Sequence, residues 1–164
     1  MIETYNINGW EDDETGMLLS ENDSWILVKH IPVDYQIDGF KIYNKKWVEQ
    51  RNSGEKEAQI ERVLKLKGIT TDNPEINLGS ALEILTQLES KYGLFEFQDD
   101  DGEELFYGKL DKIDGDDFTI NMVDSTGGII ENYEFDFSFE EIRSITFETD
   151  YFESIRLLMN DNMK

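Results

Sequence analysis

Hydrophobic and polar residues alternate along two stretches in the second half of the chain. Phe118, Ile120 and Met122 alternate with polar residues, and the four aromatic residues between Tyr133 and Phe139 do the same. A period of two is typical of strands that bury one face of a sheet. With the turn-forming Asp-Gly and Gly-Gly pairs between them, these patterns predict strands at 94–98, 104–113, 117–124, 129–137 and 143–148.

Other segments show the spacing of helices. Ser80 and Glu83 form a capping-box pattern ahead of three leucines on one face, and Gly93 is placed to end the helix, so a helix is predicted over 80–92. Hydrophobic residues three and four positions apart predict a second helix over 55–67. A closing helix is predicted to begin at Asp150, and 139–142 has the pattern of a single helical turn.

The first half has shorter strand patterns. Strands are predicted at 2–7, at 17–19, at 25–28 and over 36–43, and another ends at 47–48. Residues 68–78 have the composition of a linker and divide the chain into segments 1–78 and 79–164. The predicted fold class is therefore α+β, mainly β, with a small β-rich region and a helix in the first half.

The order of elements over 80–148 resembles that of a known group of folds. A helix followed by five short strands, with a helical turn before the fifth, is similar to the Sm-like and SH3-like small barrels. The resemblance implies a five-stranded barrel in the second half, and a loose likeness between Gln36–Val48 and Leu105–Ile113 leaves a duplicated barrel open. Arg143-Ser144 stands where Sm proteins carry an Arg-Gly signature, so the resemblance does not extend to RNA binding.

The charge of the chain is strongly negative and uneven. There are 37 acidic and 15 basic residues, a formal net charge of −22. Segment 79–164 carries −16 of this charge, whereas residues 29–67 have a net charge of +3. Because phosphate backbones are bound through Lys and Arg, nucleic-acid binding is not expected, and a basic protein partner is favoured.

The sequence has none of the common patterns of catalysis. No cysteine is present, the single histidine, His30, lacks a nucleophile motif, and no glycine pattern for binding phosphate occurs. The run 99–104 does not have the ligand spacing of a calcium loop. We therefore predict a non-enzymatic protein without cofactor or metal, although a hydrolase that uses carboxylates and a divalent ion is an alternative. The absence of a signal-like N-terminus and of long apolar segments predicts a cytoplasmic protein that does not bind membranes.

Two acidic turns and one tryptophan are the predicted partner-binding residues. Trp10, between Gly9 and Glu11, is the candidate for an exposed aromatic anchor, whereas Trp25 and Trp47 lie in apolar patterns typical of a core. The two turns lie in successive connections of the predicted sheet, either at opposite ends or close together. The acidic residues of the predicted site are Asp99, Asp100, Asp101, Glu103, Glu104, Asp116 and Asp117.

This small, acidic, cysteine-free composition is similar to that of the bacterial immunity proteins that block nuclease or other toxins. The similarity implies that the acidic surface covers the basic cleft of a protein partner such as a nuclease-type toxin. The alternative is a structural or adaptor protein that is kept soluble by its acidic surface. Such an adaptor would bind through a sheet edge or through the basic segment 29–67.

Overall fold

The computed structural model describes residues 1–131 and 133–164, which form eleven strands and three helices. Two single turns of 3-10 helix, Lys45–Trp47 and Phe139–Glu141, precede the fifth strand and the last strand. The helices are α1 (Glu55–Leu66), α2 (Ala81–Tyr92) and α3 (Asp150–Asn162). The strands are β1 (Ile2–Ile7), β2 (Glu14–Glu21), β3 (Trp25–His30), β4 (Phe40–Asn44), β5 (Val48–Asn52), β6 (Phe95–Gln98), β7 (Phe106–Asp114), β8 (Asp117–Val123), β9 (Ile129–Ile130), β10 (Phe137–Ser138) and β11 (Ser144–Phe147).

All these strands belong to one antiparallel sheet. Its strand order is β10-β8-β7-β6-β11-β4-β3-β2-β1-β5, and β9 pairs with β8 beside this path. The order contains one pattern twice. In both the N-terminal unit (β1–β5) and the C-terminal unit (β6–β11), successive antiparallel strands are followed by a 3-10 turn and a last strand that pairs with the first.

The predicted five-stranded barrel in the second half is wrong. Besides pairing with β6, β11 pairs along its whole length with β4 of the N-terminal unit, and β10 lies at the far end of an open sheet. The strand predicted over 129–137 exists only as the short pairs Ile129–Ile130 and Phe137–Ser138. Phe135 is 51% exposed whereas Phe137 is buried, so the aromatic alternation there marks a buried face only in part; residue 132 lies outside the described residues.

The local signals for helices are confirmed. The Ser80 hydroxyl accepts the Glu83 N–H and the Glu83 carboxylate accepts the Ser80 N–H, while Gly93 ends α2 with φ of +86°. Helix α1 begins where predicted and ends one residue before the predicted end, and α3 begins at Asp150, with Thr149 as its N-cap. Among the described residues, no helix combines the length and apolar character that a membrane crossing requires.

The main core lies on one face of the sheet and combines both units. Leu27 and Ile42 of the N-terminal unit pack there with Phe97 and Ile145 of the C-terminal unit, beneath apolar side chains of α2 and α3. The N-terminal unit has two smaller clusters, one around Tyr5 and one against α1. Burial of these faces provides the principal stabilisation of the fold.

Candidate functional site

The opposite face of the central strands carries polar side chains that are nevertheless buried. Because side chains alternate between the faces of a strand, the register places them in two transverse rows. In the first row Lys41, Thr146 and Glu96 lie side by side, and in the second Tyr43 stands opposite Ser144, which stands opposite Gln98. We call these six residues the polar seam.

A buried ion pair links the polar seam to strand β2. Lys41 is only 7% exposed, and its ammonium donates hydrogen bonds to the carboxylate of Glu14 and to Oε1 of Gln98, the latter at 3.0 Å. The Tyr43 hydroxyl donates to the same Glu14 oxygen, and the Ser144 hydroxyl donates to Gln98 Oε1. These bonds hold Glu14 and Gln98 beneath the connections at one end of the sheet.

Two loops meet directly above the polar seam: one joins β1 to β2 in the N-terminal unit, and the other joins β6 to β7 in the C-terminal unit. The indole N–H of Trp10 donates to the backbone oxygen of Asp99 at 2.8 Å, and the Gln98 amide donates to the Gly102 oxygen at 2.7 Å. A Cβ at Gly102 would lie 2.7 Å from Trp10 Cγ, and Gly9, at φ of +85°, approaches the Asp100 oxygen closely. The contact between the loops therefore depends on both glycines and on the tryptophan.

The space between these loops is a cavity of about 320 Å³, which we call the acidic cleft. Five carboxylates line it, and its described lining residues include no lysine or arginine. Trp10 forms part of its wall, and the ammonium nitrogen of Lys41 lies 5.5 Å from the centre of the Trp10 ring. The carboxylates that line the cleft are Glu11, Asp12, Glu14, Asp101 and Glu103.

The electrostatic crowding is visible at Asp99, beside the cleft. Partial burial of this carboxyl, together with the neighbouring Asp100 carboxyl, raises the pKa of Asp99 to about 6. Arg143 acts in the opposite direction but does not outweigh these effects. The shift reflects first the loss of water around this carboxyl and second the repulsion from Asp100, and a nearby cation would offset both effects.

The structure brings together only part of the predicted partner-binding set. Asp99, Asp100, Asp101, Glu103 and Glu104 belong to the loop that contacts Trp10. Asp116 and Asp117 lie at the other end of β7, whose nine residues span roughly 26 Å at a rise of about 3.3 Å each. Asp116 instead accepts a hydrogen bond from the Ser138 hydroxyl.

Trp10 is 8% exposed, so its sequence-based interpretation as an exposed aromatic anchor is wrong. Its ring supports the 99–104 loop from below. Trp25 is buried in the main core, as expected, whereas Trp47 is half-buried against the guanidinium of Arg143, 3.7 Å from its ring centre.

Sequence reasoning missed the contribution of the first loop. Glu11, Asp12 and Glu14 form a short acidic turn in the sequence, and nothing local indicates that they face residues 99–104. The only signal is the repeated strand order, because each loop joins the first strand of its unit to the second. Among the described residues, no group of three or more carboxylate or histidine side chains is arranged to hold a metal ion.

The fold and the cleft define an α+β protein built on one open antiparallel sheet, with an acidic cavity where loops of its two units meet. Comparisons of the chain with protein-family models, with curated proteins and with solved structures find no match.

Proposed function

We propose that this protein binds a basic segment of a partner protein in the acidic cleft and neutralises that partner, in the manner of immunity proteins that block toxins. The observation that carries the proposal is the meeting of two acidic loops around Trp10, with five carboxylates lining one cavity. A concentration of like charge on this scale attracts a cationic surface and raises its association rate.

The support beneath the cleft favours binding by preformed loops. Trp10 and Gln98 each donate a hydrogen bond to the backbone of the 99–104 loop, and Lys41 and Tyr43 hold Glu14 from below. Loops held in this way lose little conformational entropy when a ligand binds. In this proposal Trp10 acts as a support, and the carboxylates make the contacts with the partner.

The adaptor alternative, binding through the basic segment, has less support. Lys41 is buried against Glu14, and Lys45 pairs with Glu21 at 2.7 Å. Lys46, which is half exposed, lies 3.7 Å from Glu140. These three positive charges of the segment are therefore engaged within the chain and are poorly available to an acidic partner.

The test compares two charge-neutralised variants with the unmodified protein. The cleft variant is E11Q/D12N/D101N/E103Q, and the matched control, D114N/D116N/D117N/D136N, removes the same charge near the other end of β7. Each immobilised protein is exposed to a lysate of its own host at low salt and eluted by increasing salt. We expect the unmodified protein and the control to retain the same basic protein and the cleft variant to lose it.

Kinetics of the purified pair then test the mechanism. The cleft variant should associate with the captured protein about tenfold more slowly at low salt, with a flatter dependence on ionic strength, because steering depends on the removed charges. Equal capture by all three proteins, or capture of nothing by the unmodified protein, would contradict the proposed function.

A further inference from the structure

One carboxyl group of the polar seam is buried with only part of its hydrogen bonds made. Glu96, on β6, is 3% exposed. Its carboxyl accepts a hydrogen bond from the Tyr107 hydroxyl on β7, whereas its Oε1 atom has no hydrogen-bond partner among the described residues. Ionisation of a carboxyl in such a place is costly, because the charge loses the water that stabilises it in the unfolded chain.

The cation that faces Glu96 is engaged with a different carboxylate. Lys41, on β4, lies in the same row of the polar seam, with Thr146 of β11 between the two residues. Its ammonium donates hydrogen bonds to Glu14 and to Gln98. The seam therefore already pairs this ammonium with one carboxylate, and an ionised Glu96 would add a second negative charge beside a single cation.

The other groups that face Glu96 are neutral or negative. The Tyr107 ring is followed by that of Tyr151 on α3, with 5.8 Å between the ring centres. The Asp38 carboxylate, in the loop before β4, adds negative charge. Burial is the largest effect, and it raises the pKa of Glu96 although the Tyr107 hydrogen bond and the Lys41 charge oppose it.

A proton on Glu96 would provide a donor where two acceptors meet. Oγ1 of Thr146 also has no hydrogen-bond partner among the described residues, and Thr146 stands directly opposite Glu96 on the neighbouring strand. A protonated carboxyl carries an O–H group that can donate to this hydroxyl oxygen, while its second oxygen keeps the bond from Tyr107. The neutral acid therefore suits this position better than the carboxylate.

We propose that Glu96 is a proton-dependent switch at the junction of the two units: the neutral acid keeps β6 and β11 closely paired, and its ionisation loosens the junction. When the proton leaves for the solvent, the carboxylate regains hydration only if the strands around it open toward water. Because β11 also pairs with β4, such an opening weakens the contact between the units. The switch does not involve partner binding, so its failure would leave the proposed function intact.

The protonation state of Glu96 can be measured in the unmodified protein. The side-chain carboxyl carbons of the full chain are labelled with carbon-13 and followed by NMR during a pH titration, and each signal is assigned through bonds to its own backbone. We expect Glu96 to keep its proton to a higher pH than Glu75, an exposed glutamate that serves as an internal control. Ionisation of both residues over the same pH range would overturn the proposal.

Amide hydrogen exchange tests the effect on the junction. Exchange of the β11 amides is compared between the unmodified protein and E96Q from pH 5 to pH 9, after correction for intrinsic base catalysis. In the unmodified protein the opening of β11 should increase about tenfold relative to E96Q over this range, as expected when one pKa shifts by about one unit. Amides of α1, which packs against the N-terminal unit alone, should show no such difference.

Thermal unfolding gives the third measurement. Above the ordinary pKa of 4.5 the unfolded chain loses a proton that the folded state retains, so stability falls as the pH rises. The melting temperature of the unmodified protein should therefore fall relative to that of E96Q by about 4 °C between pH 5 and pH 9. E75Q, which removes an exposed charge, should follow the unmodified protein.

The comparison isolates Glu96, because both proteins keep every other titrating group, including Asp99. A constant difference in melting temperature between E96Q and the unmodified protein, or equal opening of β11 in both at every pH, would overturn the switch. If E96Q failed to fold, exchange of β11 in the unmodified protein would have to increase over the same pH range as the ionisation of Glu96, and a mismatch between these ranges would be equally decisive.

Discussion

The two units have the same strand order but are stabilised differently. In the N-terminal unit the fourth strand, β4, has five residues and continues the sheet into β11, whereas the corresponding β10 has two residues and ends it. The C-terminal unit shares the main core with α2 and α3, while the N-terminal unit also has two small clusters of its own. The same strand order can therefore lead either to a junction with the other unit or to a free edge of the sheet, depending on the fourth strand of the unit.

The junction between the units has two unlike faces. On one face Ile42 and Ile145 are paired within the main core, and on the other Lys41 lies beside Thr146 within the polar seam. The apolar face stabilises the association of the two units by burying hydrophobic side chains from both. The polar face specifies the register, since a slip by one residue would move Lys41 into the apolar core.

The largest expected effect tests whether the two units unfold together. Phe97 is fully buried, with the rings of Phe106 and Phe137 at 5.4 and 5.0 Å, so F97A should lower the free energy of unfolding by about 4 kcal/mol. All three tryptophans lie in the N-terminal unit. In urea titrations, the midpoints of the unfolding transitions followed by tryptophan fluorescence and by far-UV circular dichroism should therefore shift together, although the substitution lies in the C-terminal unit.

A suitable control is F135A, because Phe135 is exposed and its loss should cost less than about 1 kcal/mol. If the fluorescence transition of F97A stayed at its original midpoint while the dichroism split into two phases, the units would be independent and the shared core would not couple them.

The second expected effect concerns the polar side of the junction. Replacing Lys41 by Met leaves the Glu14 carboxylate largely buried and without its cation. K41M should therefore lower the free energy of unfolding by about 3 kcal/mol. K41M/E14Q should recover part of this loss, giving a coupling energy of about 1 to 2 kcal/mol in a double-mutant cycle measured by urea denaturation.

The comparison variant is K46M, which removes a half-exposed lysine that lies 3.7 Å from Glu140 and should cost less than about 0.5 kcal/mol. Equal losses for K41M and K46M would mean that the polar seam adds no stability beyond that of a surface ion pair.

The sequence predicted the elements that depend on local signals. The caps of α2 are set by residues within a few positions of each other, and Ser80, Glu83 and Gly93 act as the pattern indicates. The strand Ile2–Ile7 also has the predicted bounds. These features need no information from elsewhere in the chain.

The arrangement of the units could not be predicted in this way. The pairing of Ile42 with Ile145 joins residues far apart in the chain, and alternation along a strand does not specify its neighbour. The same limitation hid the acidic cleft, since Glu11 and Asp101 meet only after the two units join. Lys41 belongs to the basic segment 29–67 and is nevertheless buried, which is rare for a lysine unless it is paired.

A smaller effect tests the crowding beside the acidic cleft. The pKa of Asp99 is raised to about 6 from an ordinary value of 3.8, so its ionisation opposes folding above pH 6, and this cost disappears as the pH falls toward 4. D99N should therefore be more stable than the unmodified protein at pH 8, by about 1 kcal/mol after allowance for partial solvent exposure, and equal to it near pH 4.

Thermal unfolding across this pH range measures the difference, and added salt should reduce it by screening the Asp100 charge. A lower melting temperature for D99N than for the unmodified protein at pH 8 would show that the carboxylate stabilises the loop, contrary to this account.

The smallest effect has the opposite sign and lies after the third strand of the C-terminal unit. Asp124 accepts hydrogen bonds from the Thr126 hydroxyl and N–H and from the Gly128 N–H, which lower the pKa of its carboxyl. Its ionised form therefore favours folding above the ordinary pKa of aspartate, and this contribution is lost as the pH falls through the lowered value. D124N keeps an acceptor oxygen, so its melting temperature should be slightly below that of the unmodified protein at pH 7, and the difference should shrink in acid. If D99N and D124N changed in the same direction with pH, the contrast between a crowded carboxylate and a hydrogen-bonded one would be wrong.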